Sequence, residues 1–330
     1  MTISNKTKNN SNLEIDELLN SQIFLIWVPQ SYGGLGYSLT SGLAELQKLA
    51  EKNGSLAWMV TLCAGANYFS RNLKPEVAEL LFKSRKVCFG GSGMVAGTAE
   101  KHGDNYLIKG KWKYATGSIY LTHFTFNAKI TLNGIPLLDS NGQEQISSFI
   151  IPKEFVKITK DWTSMGMKET QTHTFEIDNH YVSSDFCFTY NKFYTTTVLD
   201  RIPFQIFTDL TFIVNYLGMA KHYLKLAEIE LKNSNLTHPL EQSTSEIEQK
   251  ISIFISKTEN TIENNSKFIN SLASEIHQYG TDLVKTLSHQ IIDLYLNLGL
   301  KASQEDQELN KVFKDFFTAT QHLNFRENKS

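Results

Sequence analysis

The spacing of apolar residues changes twice along this chain, from helical to extended and back, and that order limits the folds open to it. From about residue 39 to 84 the period is helical, with Leu39, Leu43, Leu46 and Ala50 on one face. Ser55 is placed to cap a second helix carrying Trp58, Leu62 and Phe69, and Pro75 suits the first turn of a third. From about 87 to 190 the texture is extended: Phe124, Phe126, Ala128 and Ile130 alternate with Thr125, Asn127 and Lys129. Gly103-Asp104-Asn105, Asn133-Gly134 and Asn141-Gly142 punctuate these runs as turns. From about 196 the helical period returns in four stripes. They begin at Leu210, Ile247, Val284 and Leu309, and the second runs on through Ile262 and Ile269 to Ile276. Residues 233–245, with Pro239 inside, read as an exposed connection. The expected fold class is α+β: an N-terminal helical domain, a central β-barrel or sandwich domain, and a C-terminal four-helix bundle. The expected boundaries are a frayed tail over 1–20, helices over 21–86, the β domain over 87–190 and the bundle over 191–330. A doubly wound nucleotide fold, which alternates strand and helix, is excluded by this order.

Composition narrows the function classes. Lys+Arg 32 against Asp+Glu 34 gives a net charge of −2, which argues against a general nucleic-acid binder. Arg71, Arg85, Arg201 and Arg326 are the only arginines, so bidentate clamps on carboxylate or phosphate are scarce. The three cysteines, Cys63, Cys88 and Cys187, are widely spaced without a CxxC pair. They predict neither a disulfide framework nor a zinc site, and fit a reducing cytoplasm. No stretch has the roughly 18 apolar residues of a membrane span, and the polar start lacks a secretory core.

The residues alone carry limited chemistry. Gly91-x-Gly93-x-x-x-Gly97 is not a dinucleotide fingerprint, since extended sequence follows it where a helix N-terminus is required. It reads as a strand bulge or turn, or as backbone passing close to a flat ligand. The nine histidines show no metal-binding spacing, and His322 taken alone reads as a helix-end histidine. No GxSxG or Cys/His signature supports nucleophilic catalysis.

Several segments in order resemble the acyl-CoA dehydrogenase superfamily. They are Val28-Pro-Gln-Ser-Tyr-Gly-Gly-Leu-Gly36, Gly103 to Gly117, and Trp162-Thr-Ser-Met-Gly-Met-Lys-Glu-Thr170 followed by Asp178 to Val182. Gly54-Ser55-x-x-Trp58, Gly110-x-Trp112 in place of the dehydrogenase GxK, Arg201-Ile-Pro-Phe204 before Gly218-Met-Ala220, and the lack of a TEPxxGSD pattern between Gly91 and Ala99 resemble its flavin-dependent monooxygenase branch. Lys314-Asp315 stands where the family has Arg-Asp, and His322 where that branch has a histidine. The α-proton-removing Glu of many dehydrogenases is absent, Leu323 and Asn324 occupying the neighbouring positions. The family's Arg-containing segment after the first long bundle helix also finds no Arg between Asn233 and Ser245.

The resemblance implies a flavin, FAD or FMN, between the β domain and the bundle, reacting when reduced with O2 through a C4a-hydroperoxide. Ser92, Gly93, Gly97, Tyr114, Thr116 and Gly117 would bind the flavin. The Thr116 hydroxyl would lie near N5. His322, titrating near neutrality, would stabilise or protonate the peroxide. It also implies a small-molecule substrate, a flavin reductase partner and a homo-oligomer, with no nucleic acid, membrane or metal. Two other readings remain: an acyl-CoA dehydrogenase, and a flavin-free homologue acting as a binding or assembly subunit.

Overall fold

The computed structural model describes residues 15–190, 192–232, 235–264 and 268–326. The first part of the expected N-terminal tail and the start of the 233–245 segment therefore lie outside the described residues. The chain is mixed α+β, with helical N- and C-terminal parts and a central sheet. Its described residues form two compact units, each taken here by itself. One comprises residues up to Tyr37 together with Leu62–Trp162 and Thr170–Thr196; the other comprises Ser38–Thr61, Thr163–Glu169 and Thr197 onward.

The first unit is built on eight strands: β1 Phe89–His102, β2 Asn105–Ala115, β3 His123–Leu132, β4 Ile135–Pro136, β5 Ile146–Pro152, β6 Lys157–Thr159, β7 His173–Ser183 and β8 Cys187–Phe188. They form one sheet in the order β6-β7-β2-β1-β3-β5-β8, with β4 beside β3. Only β1 and β3 run parallel. Gly103-Asp104 makes the tight turn between His102 and Asn105, and Asn133-Gly134, both at positive φ, turns β3 into β4. Trp112 centres the core: its ring stacks on Phe175 at 5.2 Å and meets Phe126 at 4.7 Å. Its indole N–H donates to the Asn127 carbonyl at 2.9 Å, which satisfies its one polar atom.

The helices, numbered in chain order, are α1 Leu39–Ala50, α2 Gly54–Asn67, α3 Pro75–Phe82, α4 Phe204–Leu231, α5 His238–Glu263, α6 Ile269–Tyr295 and α7 Glu308–Ala319. Ser38 caps α1 by accepting from the Ser41 N–H at 3.2 Å. At α2 the acceptor is Asn53, whose Oδ1 takes the Leu56 N–H at 3.1 Å; Ser55 is inside the helix and fully buried, so it is not the cap. Pro75 takes the first position of α3 as the sequence predicts.

In the helical unit α4 is buried on every side from Asp209 to Ala220 and packs against α1, α5, α6 and α7. Gly218 of α4 admits Ala50 of α1: a Cβ there would stand 2.5 Å from the Ala50 Cβ. Gly54 faces Met219 in the same way, so two glycines of the resembled motifs are helix-packing points. Two sequence expectations need correction. The 233–245 segment is not an open connection, because α5 begins at His238 with Pro239 in its first turn, where a missing N–H costs nothing. The second apolar stripe belongs to two helices, α5 ending at Glu263 and α6 starting at Ile269, a break that the periodicity hides.

Candidate functional site

Six of the seven candidate residues belong to the sheet unit and collect at one end of the β1–β2 hairpin. Regular pairing of the hairpin stops at Gly97–Gly110, and beyond it the two strands part. On the β1 side, Gly91 pairs with Thr125 so closely that a Cβ would stand 1.8 Å from the Thr125 carbonyl oxygen. Only glycine fits there. The β1–β3 register then slips between Ser92 and Val95 and again before Thr98, which bulges Ser92–Val95 out of the sheet. A Cβ on Gly93 would meet nothing, and Met94 and Val95 are exposed.

Asn127 pins this bulge. Its Nδ2 donates to the Gly93 carbonyl at 2.9 Å, while its Oδ1 accepts from Ser148 Oγ at 2.7 Å and Tyr190 OH at 3.2 Å. The alternation of β3 marks Asn127 only as a polar-face residue; its hub role depends on partners from β1, β5 and the residues after β8. Gly97 has a different task from the one expected of ligand-facing backbone. A Cβ there would enter the Trp112 ring at 2.4 Å, so this glycine serves strand packing.

On the β2 side, a second register slip between Trp112 and Ala115 leaves Tyr114 at φ +65° and 62% exposed. Left-handed backbone at a tyrosine costs about 1–2 kcal/mol. Thr116 is buried, its hydroxyl 3.1 Å from that of Thr172, which is 2.7 Å from that of Thr170. The Gly117 N–H, at φ +75°, donates to the Thr170 carbonyl at 2.7 Å, so that donor is already engaged. A Cβ on Gly90 would fall 3.2 Å from the Thr116 carbonyl, which brings the β1 and β2 candidates to the same hairpin end. Nearby, His173 Nδ1 accepts from the Trp162 N–H at 3.0 Å and its Nε2 bonds Gln171 Oε1 at 3.0 Å. This fixes the Trp162 backbone. Burial lowers the His173 pKa and so keeps the ring neutral.

The seventh candidate, His322, follows α7 in the helical unit. Its ring lies 5.5 Å from Trp58 edge-on and 4.7 Å from Phe212. Its Nδ1 accepts the Asn324 N–H at 3.3 Å, capping the short turn Leu323–Phe325. A backbone N–H can only donate, so Nδ1 carries the lone pair and the ring proton sits on Nε2. Burial among these rings pushes the imidazole down to about 4 instead of the neutral titration expected from sequence. His322 is thus a neutral Nε2–H donor at physiological pH.

In the same unit the Gly166-Met167 segment is clasped by α7. Gly166 N–H donates to Thr318 Oγ1 at 3.0 Å, Met167 N–H to Asp315 Oδ1, and Lys311 pairs with Glu169 at 3.0 Å. Burial raises the Asp315 carboxyl to about 7. Lys314 faces outward to Glu305 at 3.2 Å, and Arg201 donates to the Ile262 carbonyl near the end of α5. Among the described residues no cluster of His, Cys, Asp or Glu is arranged to hold a metal ion. Nor, among them, is any helix long and apolar enough to cross a membrane.

The solved structures similar to this chain decide the fold. The 3-HSA hydroxylase of Rhodococcus sp. RHA1 superposes with a TM-score of 0.85 over 96% of this chain and 88% of that one, at 15% identity. XiaF from Streptomyces sp., solved in complex with FADH2 and glycerol, gives 0.82 over 94% and 84%, at 16% identity. The chain has the acyl-CoA dehydrogenase-like fold. Curated relatives that match part of the chain include a monooxygenase and a hydroxylase. An indole-3-acetate monooxygenase of Acinetobacter baumannii is 22% identical over 175 residues, 53% of this chain and 43% of that protein. A pigment production hydroxylase of Rhodococcus sp. is 25% identical over 176 residues, 51% and 42% of the two chains. The aligned stretch thus spans about two fifths of the length of the curated relatives it matches. No protein-family model matches the chain.

Proposed function

We propose that this acyl-CoA dehydrogenase-like chain is the oxygenase component of a flavin-dependent monooxygenase acting on a small organic molecule. Its flavin, FAD or FMN, would arrive reduced from a separate reductase. The observation that carries the reading is His322: a neutral imidazole among Trp58 and Phe212, with no carboxylate bonded to it among the described residues. The dehydrogenase alternative needs a carboxylate base at this point. Asp209, the nearest acid in the hydrogen-bond pattern, is occupied by Asn324 and His277.

The residues of the open hairpin end suit a flat ring with a polar edge. The Ser92–Val95 bulge leaves open space at Gly93, Tyr114 offers an exposed aromatic face, and the Thr116 hydroxyl supplies a hydrogen bond. Gly97 and Gly117 would act indirectly, the first by letting Trp112 set the strand and the second by turning the chain after Thr116. A reduced flavin, when bound, supplies the electrons for O2 activation. His322 would donate a hydrogen bond from Nε2, and Trp58 and Phe212 would keep water from it.

The same reading includes a cytoplasmic setting for the free cysteines Cys63, Cys88 and Cys187. It also includes a homo-oligomer, supported by exposed Ile229, Leu296 and Leu300, and a β-barrel or sandwich with a four-helix bundle as the finer architecture. Anaerobic titration with oxidised and reduced FAD and FMN tests it. The reduced form is expected to bind more tightly, and Thr116→Val to weaken it about tenfold, the worth of one hydrogen bond. Absence of binding in every redox form refutes the proposal. Anaerobic bleaching of bound FAD by an acyl-CoA would identify a dehydrogenase instead.

A further inference from the structure

Asp209 is a fully buried acid of the helical unit and has no role in the reading above. It lies on α4 with its side chain only 1% exposed, and burial raises its carboxyl pKa. Its two partners come from distant parts of the chain. His277 of α6, 40% exposed, stands 3.1 Å away through Nδ1, and Asn324 Nδ2 donates to Asp209 Oδ1 at 2.8 Å. Asn324 is also the residue whose backbone N–H reaches His322 Nδ1 at 3.3 Å. The turn is held from its other side by Phe325, which fills a notch at Gly280 of α6 where a Cβ would stand 2.3 Å from the ring.

We propose that Asp209 is a positioning residue: by anchoring the Asn324 side chain it holds the turn whose N–H fixes His322 in its Nε2–H tautomer. A buried carboxyl with no Lys or Arg bonded to it among the described residues is costly unless its hydrogen bonds are made, and here the chain of bonds runs through Asn324 to His322. His277, on the solvent side, faces the second oxygen, and its ring also meets Phe325 of the turn at 5.7 Å. The inference rests on the role given to His322, and it concerns the protein's own side chains, so it is read without flavin.

The experiment is NMR of the full chain labelled with 15N-histidine, flavin-free, in wild type and in Asn324→Ala, Asp209→Ala and Asp209→Asn. Wild type is expected to show one Nε2–H tautomer at His322, with its titration midpoint near 4. Asn324→Ala and Asp209→Ala are expected to mix the two tautomers and raise the midpoint toward the ordinary imidazole value. Asp209→Asn keeps an oxygen for Asn324 and is expected to restore the single tautomer. Asn324→Ala alters a partly exposed residue at the end of the fold, so it decides the matter if Asp209→Ala does not fold. A single unshifted Nε2–H tautomer in Asn324→Ala overturns the proposal. Loss of flavin binding with these spectra intact would instead count against the functional reading.

Discussion

Gly166→Ala is expected to lower the unfolding free energy of the protein by about 3 kcal/mol, from backbone overlap and two broken hydrogen bonds. A Cβ at this position would stand 2.1 Å from the Lys314 carbonyl oxygen and 2.5 Å from the Asp315 nitrogen, both main-chain atoms of α7. A helix backbone cannot yield as a flexible side chain can, so the segment must lift away. It then gives up the Gly166 bond to Thr318 and the Met167 bond to Asp315, leaving a buried carboxyl without its donor. Urea denaturation measures the loss. An unchanged midpoint would mean that the segment does not lie on α7 as described.

The second large effect is on pH dependence. Among the described residues, burial lowers the pKa of His123, His173, His222 and His322, the last two to about 4. Between pH 6.5 and 4 the unfolded chain binds protons at these sites that the folded chain refuses, so each contributes stability that is lost as pH falls. Asp209 and Asp315 act oppositely: with folded pKa raised, Asp315 to about 7, they hold protons the unfolded chain has released, and their contribution is lost as pH rises. The two histidines displaced to about 4 outweigh the one carboxyl displaced to about 7. Stability is therefore expected to rise from pH 4 to 6.5, by up to about 1.4 kcal/mol per pH unit for each net proton. His322→Phe removes one of the four and should flatten the slope. Urea midpoints across this range test it, and stability that falls with rising pH would contradict the assignment.

The zones of the fold were legible because periodicity reports which face of an element is buried. Phe124 to Ile130 alternate and form β3; Leu39 to Ala50 share a face and form α1. Helix ends were less legible. Periodicity runs through the break after Glu263, since both helices bury the same kind of residue, and Pro239 reads as a loop residue although it starts α5. Of the candidate site, the places of Tyr114 and Thr116 at the end of β2 followed from the resembled strand pair. The residues that hold the site did not. Asp209 and Asn324 are 115 positions apart, and Asn127 meets Gly93 across 34. Neither pair leaves a local pattern, because each is set by packing between distant segments. The low His322 pKa was hidden for the same reason: it comes from Trp58 and Phe212, not from neighbours in sequence.

The central claim is that this chain controls how a reduced flavin reacts with O2. Stopped-flow mixing of the protein, loaded with the reduced flavin it binds best, against aerated buffer tests it most directly. The account predicts reoxidation in two resolved spectral phases, the second slower than for free flavin and accelerated about tenfold in His322→Ala, the loss of one good hydrogen bond. Single-phase reoxidation at the rate of free flavin, identical in wild type and His322→Ala, would contradict it.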